Sequence, residues 1–154
     1  MIHQTTTTME QRVKIDQVFP EALKGMMGLV TALSKTNLTP IQKELIKMRA
    51  SQINSCAYCL DMHTKEALKI GETQQRIFVL SAWRETDLFT DEEKALLALT
   101  EEVTLIHLKG VTDETYKRAE KFFGAETIAQ IIMAIVLINA WNRIAVSTHM
   151  PIPR

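Results

Sequence analysis

The chain has 154 residues, 46% of them hydrophobic, and its 18 basic side chains are matched by 18 acidic ones. This length suits one domain, residues 1–154, with a core of useful size, and the hydrophobic share is that of a globular rather than a disordered chain. Zero formal charge leaves no basic excess for nucleic acid or an anionic lipid surface, and removes one barrier to self-association.

Met1 to Asp16 is polar and threonine-rich, a loose N-terminal arm without the apolar stretch of a secretory signal. Beyond it glycine and proline are scarce, five and four in the whole chain, and no segment alternates with a period of two. The expected fold is therefore all-α, a compact helical bundle. A helix runs from Pro20 to Ser34, proline being suited to a first turn. Thr39 as N-cap and Pro40 at the first helical position open the next, which extends to Gln52. Asn54-Ser55 cap a third helix that carries both cysteines and stops at Gly71. Thr73 opens a short helix to Trp83. Thr90-Asp91-Glu92-Glu93 has capping-box character before a helix ending near Gly110. Thr112 to Phe123 and Glu126 to His149 complete the set. The longest apolar run, Ile128 to Trp141, is interrupted by Gln130 and Asn139. It reads as core or subunit interface, too short and too mixed for a membrane span. A cytoplasmic location is expected, with neither membrane nor nucleic acid as partner.

The only two cysteines stand in Cys56-Ala57-Tyr58-Cys59-Leu60-Asp61-Met62-His63. In a reducing compartment a close pair of thiols points to catalysis or metal binding more than to a structural staple. With Cys56 at 0° on a helix, Cys59 falls at about −60° and His63 at about −20°. Leu60, Ala67 and Ile70 share this arc, so the thiols and the imidazole lie on the apolar stripe and face the interior or a pocket. On the preceding helix Glu44 borders the stripe of Ile41, Leu45 and Met48. A carboxylate there must find a partner or be protonated, and His63 is the obvious candidate.

The chemistry this grouping supports is that of a thiolate. Proximity to the helix N-terminus nominates Cys56 as the nucleophile, and His63 one turn beyond nominates Cys59. Cys59 is favoured, because a base can take a proton and return it to a leaving oxygen, which a helix dipole cannot do. The other cysteine then converts a sulfenic acid to a disulfide. Side chains one turn apart have Cβ atoms about 5–6 Å apart, against about 3.5–4.5 Å in a disulfide, so a modest local adjustment is needed.

Other readings stand beside this one. The cysteines can be small buried hydrophobes. Cys56, Cys59, His63 and Glu44 can together ligate zinc in a helical interaction protein, although no second ligand pair is close in sequence. The same thiols can serve a general thiol–disulfide oxidoreductase or redox sensor. His3, His107 and His149 lack neighbouring ligand types. Tyr58 and Met62 fall opposite the cysteines, and Glu92-Glu93 and Lys117-Arg118 read as solvated faces.

Glu44, Cys56-Ala57-Tyr58-Cys59 and His63, with Met48-Arg49-Ala50-Ser51-Gln52-Ile53-Asn54-Ser55 and Gly71-Glu72-Thr73 around them, closely resemble the AhpD-like alkylhydroperoxidases of the carboxymuconolactone decarboxylase superfamily. The resemblance spans Thr39 to Glu102. It implies an all-helical subunit assembled as trimers or hexamers and a cysteine peroxidase needing no metal or organic cofactor. It implies Cys59 as the peroxide-reactive cysteine, Cys56 as the resolving one, and His63 with Glu44 as the proton relay. The implied partners are a hydroperoxide substrate and an external dithiol, thioredoxin-like or lipoyl reductant. Tyr58 stands where the mycobacterial type has a histidine. The lactone decarboxylases of the superfamily lack this cysteine pair, which disfavours decarboxylation here.

Overall fold

The computed structural model describes residues 8–154; the earlier part of the N-terminal arm, with His3, lies outside the described residues. Among the described residues there is no strand. The helices are α1 (Ile15–Val18), α2 (Pro20–Ser34), α3 (Pro40–Ile53), α4 (Ala57–Lys69), α5 (Gln74–Val79), α6 (Asp91–Thr104), α7 (Ile106–Lys109), α8 (Asp113–Glu120) and α9 (Ala125–Thr148), with a 3-10 segment over Leu80–Glu85. Threonine caps start four of them. Thr39, Thr73, Thr90 and Thr112 each accept the backbone N–H three residues on, and Thr39 and Thr90 complete reciprocal capping boxes with Gln42 and Glu93. Each cap satisfies donors that helix geometry leaves unpaired.

The central element is α3, which packs against α4, α6 and α9. Its apolar residues point two ways. Ile46 and Ala50 join Leu96, Leu99, Ile131 and Ile135 in one core, while Leu45 and Met48 join Ala67, Leu80, Trp83 and Leu97 in another. With both flanks committed, α3 holds its intervening polar side chains in fixed places. Glu101, on α6, ties these parts together by accepting from Arg49 Nε at 2.9 Å and Trp83 Nε1 at 2.8 Å.

Three helices end in the same way. After α3, Cys56 N–H donates to Ser51 C=O and Ser55 N–H to Gln52 C=O, with Ser55 in the left-handed region at φ 53°. After α4, Glu72 and Gly71 donate to Ala67 and Leu68, with Gly71 at φ 101°. After α9, Met150 and His149 donate to Ala145 and Val146, with His149 at φ 52°. Each is a Schellman closure, which satisfies the last carbonyls and turns the chain sharply. The first leaves no slack between α3 and α4. The last folds Met150 back onto the cysteines.

Several boundaries differ from expectation. The helix expected over Thr73–Trp83 changes to 3-10 geometry at Leu80, and that expected from Thr90 to Gly110 breaks at Leu105, whose φ/ψ of −98°/36° divides α6 from α7. The arm is not loose throughout its described part. Arg12 donates from its backbone N–H to Thr148 C=O at 2.8 Å and from its guanidinium to Ser147 C=O, and Ile15 begins a helical turn. Helix α9 extends well beyond the apolar run read as too short for a bilayer; its 24 residues are long and apolar enough to cross a membrane by length and composition. In the bundle it lies against α2, α3, α4, α6 and α8, with Ile128, Ile131, Ile135 and Ile138 buried and Met133, Val136 and Val146 exposed.

Candidate active site

Cys56 is not the first helical residue of α4 but its N-cap, with extended dihedrals of φ −89° and ψ 96°. It is at once the residue that closes α3 and the residue that opens α4. Standing off the helical cylinder, it reaches Cys59, and the two form a disulfide with Cα atoms 5.3 Å apart. The adjustment that two cysteines one turn apart require is thus made by the Ser55–Cys56 backbone. The Cys59 N–H donates to Cys56 Sγ at 3.3 Å, so this sulfur also answers one of the unpaired donors of the first turn.

Both cysteines are buried, at 0% and 2% exposure, but they differ in what they face. Cys59 lines a cavity of about 580 Å³ between α2, α3, α4 and α9, together with His63; Cys56 does not. Ala145 and Met150 cover the pair. Tyr58 and Met62 also line this cavity, where helical angles placed them opposite the cysteines. The cavity runs along the flank of α4, and an arc from His63 at about −20° through Cys59 and Met62 to Tyr58 at about −160° faces it. Ile70, expected on the buried stripe, is 43% exposed, because it caps the end of α4 rather than continuing its face.

Glu44 lies in the middle of α3, and its Oε2 is 3.0 Å from His63 Nδ1. Its Oε1 accepts from Lys47 Nζ at 2.8 Å. Burial works against the charged carboxylate, but the His63 hydrogen bond and then the Lys47 hydrogen bond and charge outweigh it, and Glu44 is held below the ordinary carboxylate range. An ionised carboxylate only accepts, so the proton of the contact sits on His63 Nδ1 and a neutral ring keeps its lone pair on Nε2. The structure therefore brings Cys56, Cys59, His63 and Glu44 to one place. Lys47 is a member that sequence reasoning missed; a lysine three residues after a glutamate is the ordinary pattern of a solvated helix pair.

Among the described residues no group of three or more His, Cys, Asp or Glu side chains is arranged as a metal site. His107 is exposed on α7 and His149 takes the left-handed position that ends α9. Glu93 is not on a solvated face. Its two carboxylate oxygens accept from Arg76 at 2.7 and 3.0 Å, and that guanidinium also stacks 4.5 Å from the Phe89 ring centroid.

Residues 19–102 match the family model of the carboxymuconolactone decarboxylase family. The uncharacterized protein YdfG of Bacillus subtilis is 44% identical over 139 residues, which cover 90% of this chain and 95% of that protein. A crystal structure from Agrobacterium tumefaciens, of a protein of unknown function assigned provisionally to antioxidant defence as AhpD, superposes with a TM-score of 0.91 at 39% identity, covering 94% of this chain and 99% of that one. The debrominase Bmp8 shares the fold alone, at a TM-score of 0.77 and 18% identity over 87% of this chain and 72% of its own.

Proposed function

Because the chain belongs to the carboxymuconolactone decarboxylase family, and within it is AhpD-like, we propose that it is a cysteine-based peroxidase reducing hydroperoxides through a Cys56/Cys59 dithiol–disulfide cycle. The observation that carries this reading is the joint placement of three things: a disulfide at the cavity wall, Cys59 as its cavity-facing half, and His63 on the same wall with Glu44 hydrogen-bonded behind it.

In the reduced protein His63 Nε2 takes the proton of the Cys59 thiol, and Glu44 at Nδ1 stabilises the imidazolium that forms. The thiolate attacks the outer oxygen of the hydroperoxide and the O–O bond breaks. The departing alkoxide takes the proton from His63 and leaves as an alcohol, with Cys59 now a sulfenic acid. Cys56 then attacks the Cys59 sulfur. The S–O bond breaks, and the hydroxide combines with the Cys56 proton as water. Two electrons from an external dithiol, of thioredoxin-like or lipoyl type, restore both thiols. No metal or organic cofactor takes part. Cys56 suits the resolving role because it is buried beside Cys59 and does not face the cavity.

The same reading takes the chain as a cytoplasmic homo-oligomer, a trimer or hexamer. The 15-residue α2 has no buried residue, and α9 shows an outer stripe of Met133, Val136 and Val146. Such faces are what a second copy covers; sedimentation showing only monomer at micromolar concentration would contradict this assembly.

Steady-state consumption of cumene hydroperoxide with dithiothreitol as reductant tests the function. Cys59→Ser is expected to abolish turnover, about 10³-fold or more, while Cys56→Ser, reduced beforehand and assayed without dithiothreitol, consumes one peroxide per chain. Undiminished consumption by Cys59→Ser removes the assignment. Efficient reduction of a model disulfide by wild-type protein with no peroxide consumption would favour a general thiol–disulfide oxidoreductase instead.

A further inference from the structure

The cavity beside Cys59 is much larger than hydrogen peroxide requires. Its volume of about 580 Å³ compares with about 30 Å³ for one water in the liquid, and lies in the range of sites that enclose an organic ligand. The walls are strongly apolar, with Val30 and Leu33 from α2 facing Leu137, Ile138 and Trp141 from α9 and Met150 from the C-terminal turn. A carbon chain gains free energy by leaving water for such a surface.

The charged groups on these walls are of one sign. Lys43 and Lys47 line the cavity, together with His63, and no aspartate or glutamate does. The two lysines differ in how they are answered. Lys47 is spent on Glu44, 2.8 Å away. Lys43 has no carboxylate within ion-pair distance among the described residues; its ammonium meets only the Ser34 carbonyl, at 3.5 Å. The residue as a whole is half-buried while its ammonium contact is exposed, so the stem lies along the cavity wall and the charged head stays free to meet an anion at the rim. Being one turn from Lys47 on the same face of α3, Lys43 lies about 6 Å along the helix from the group that engages the Glu44–His63 pair.

We propose that this cavity binds amphipathic carboxylates, that Lys43 holds the carboxylate head, and that the favoured substrates are hydroperoxides of long-chain carboxylic acids. This rests on the peroxidase reading for its chemistry, but the binding site does not. The apolar chain fills the space between α2 and α9, and Lys43 fixes which end faces α3. The preference is then for acid over ester or alcohol of the same chain.

Two measurements separate the binding claim from the peroxidase claim. In the first, dodecanoate and dodecanol are titrated against the oxidised protein below their aggregation concentrations, following the fluorescence of Trp141 against a Trp141→Phe control. Dodecanoate is expected to bind about tenfold more tightly than dodecanol, and Lys43→Gln to bring the ratio close to one while Lys43→Arg keeps it. Equal binding of acid and alcohol, or a preference unchanged in Lys43→Gln, overturns the proposal. In the second, pre-reduced protein is mixed with linoleic acid hydroperoxide or its methyl ester and disulfide formation is timed. The acid is expected to react several-fold faster, with the ratio again collapsing in Lys43→Gln. If neither hydroperoxide oxidises the protein but dodecanoate binds through Lys43, the peroxidase reading fails and the carboxylate site stands. If both oxidise it at equal rates, the peroxidase reading stands and the substrate preference fails.

Discussion

At Glu44, burial and hydrogen bonding act in opposite directions. Taking a carboxylate out of water raises the energy of its charged form, while His63 and Lys47 lower it, and the partners win. On the proposed mechanism an ionised Glu44 is what makes His63 an effective base. Glu44→Gln keeps the shape and one hydrogen bond but cannot stabilise an imidazolium, so kcat/KM for a small hydroperoxide is expected to fall about 10²-fold, with Tm little changed. Stopped-flow oxidation of the reduced protein measures this; a rate within twofold of wild type removes Glu44 from the relay. The association of Glu44 with His63 was legible from the amino-acid order, because its spacing from Ile41, Leu45 and Met48 placed a carboxylate at the edge of a buried stripe. Lys47 was not. Only three-dimensional packing shows that this lysine lies against a cavity rather than in open solvent.

Helix starts proved easier to read than helix ends. Thr39, Thr73, Thr90 and Thr112 are strong local signals, and all four cap. Gly71 also marks the end of α4 by being the one residue type indifferent to positive φ. At the α3–α4 junction the same motif is built on a serine, so composition gives no warning, and Asn54-Ser55 reads as a cap for α4 when the cap is Cys56. That displacement by one residue is what lets Cys56 leave the helix and pair with Cys59. The break at Leu105 carries neither glycine nor proline and had no sequence signal. Because Ser55 has φ 53°, Ser55→Gly is expected to relieve roughly 1 kcal/mol of backbone strain. Urea denaturation should show a higher midpoint with an unchanged slope; a lower midpoint would show that Ser55 contributes an interaction worth more than its conformational cost.

Across the whole molecule, the all-helical class followed from the shortage of glycine and proline and from helical spacing of apolar residues. How the helices share α3 between two cores did not, since that depends on which stripes meet. The buried and half-buried carboxylates that link these helices make a joint prediction. Burial opposes ionisation in each, but Glu44 is held below its ordinary value by His63 and Lys47, Glu93 by Arg76, Glu101 by Trp83, Arg84 and Arg49, and Glu102 by the Thr112 and Thr115 donors. A lowered folded value means that the unfolded chain binds protons first as the pH falls. The stabilisation is therefore fully present above the ordinary carboxylate value of 4.5 and is lost as pH drops through the lowered folded values. Urea midpoints are expected to hold nearly level from pH 7 to about 5 and to fall steeply below about 4.5. Midpoints that stay level to pH 3 would mean that these carboxylates are not paired in solution.

The central claim is that Cys59 meets the peroxide first and Cys56 completes the disulfide. Its most direct test is mass spectrometry of the fully reduced protein after a brief, substoichiometric pulse of hydroperoxide, with wild type, Cys56→Ser and Cys59→Ser compared side by side. The predicted result is a Cys56–Cys59 disulfide in wild type, a trappable sulfenic acid on Cys59 in Cys56→Ser, and no oxidation in Cys59→Ser. Sulfenic acid on Cys56 in Cys59→Ser, with Cys59 left unmodified in Cys56→Ser, would contradict it.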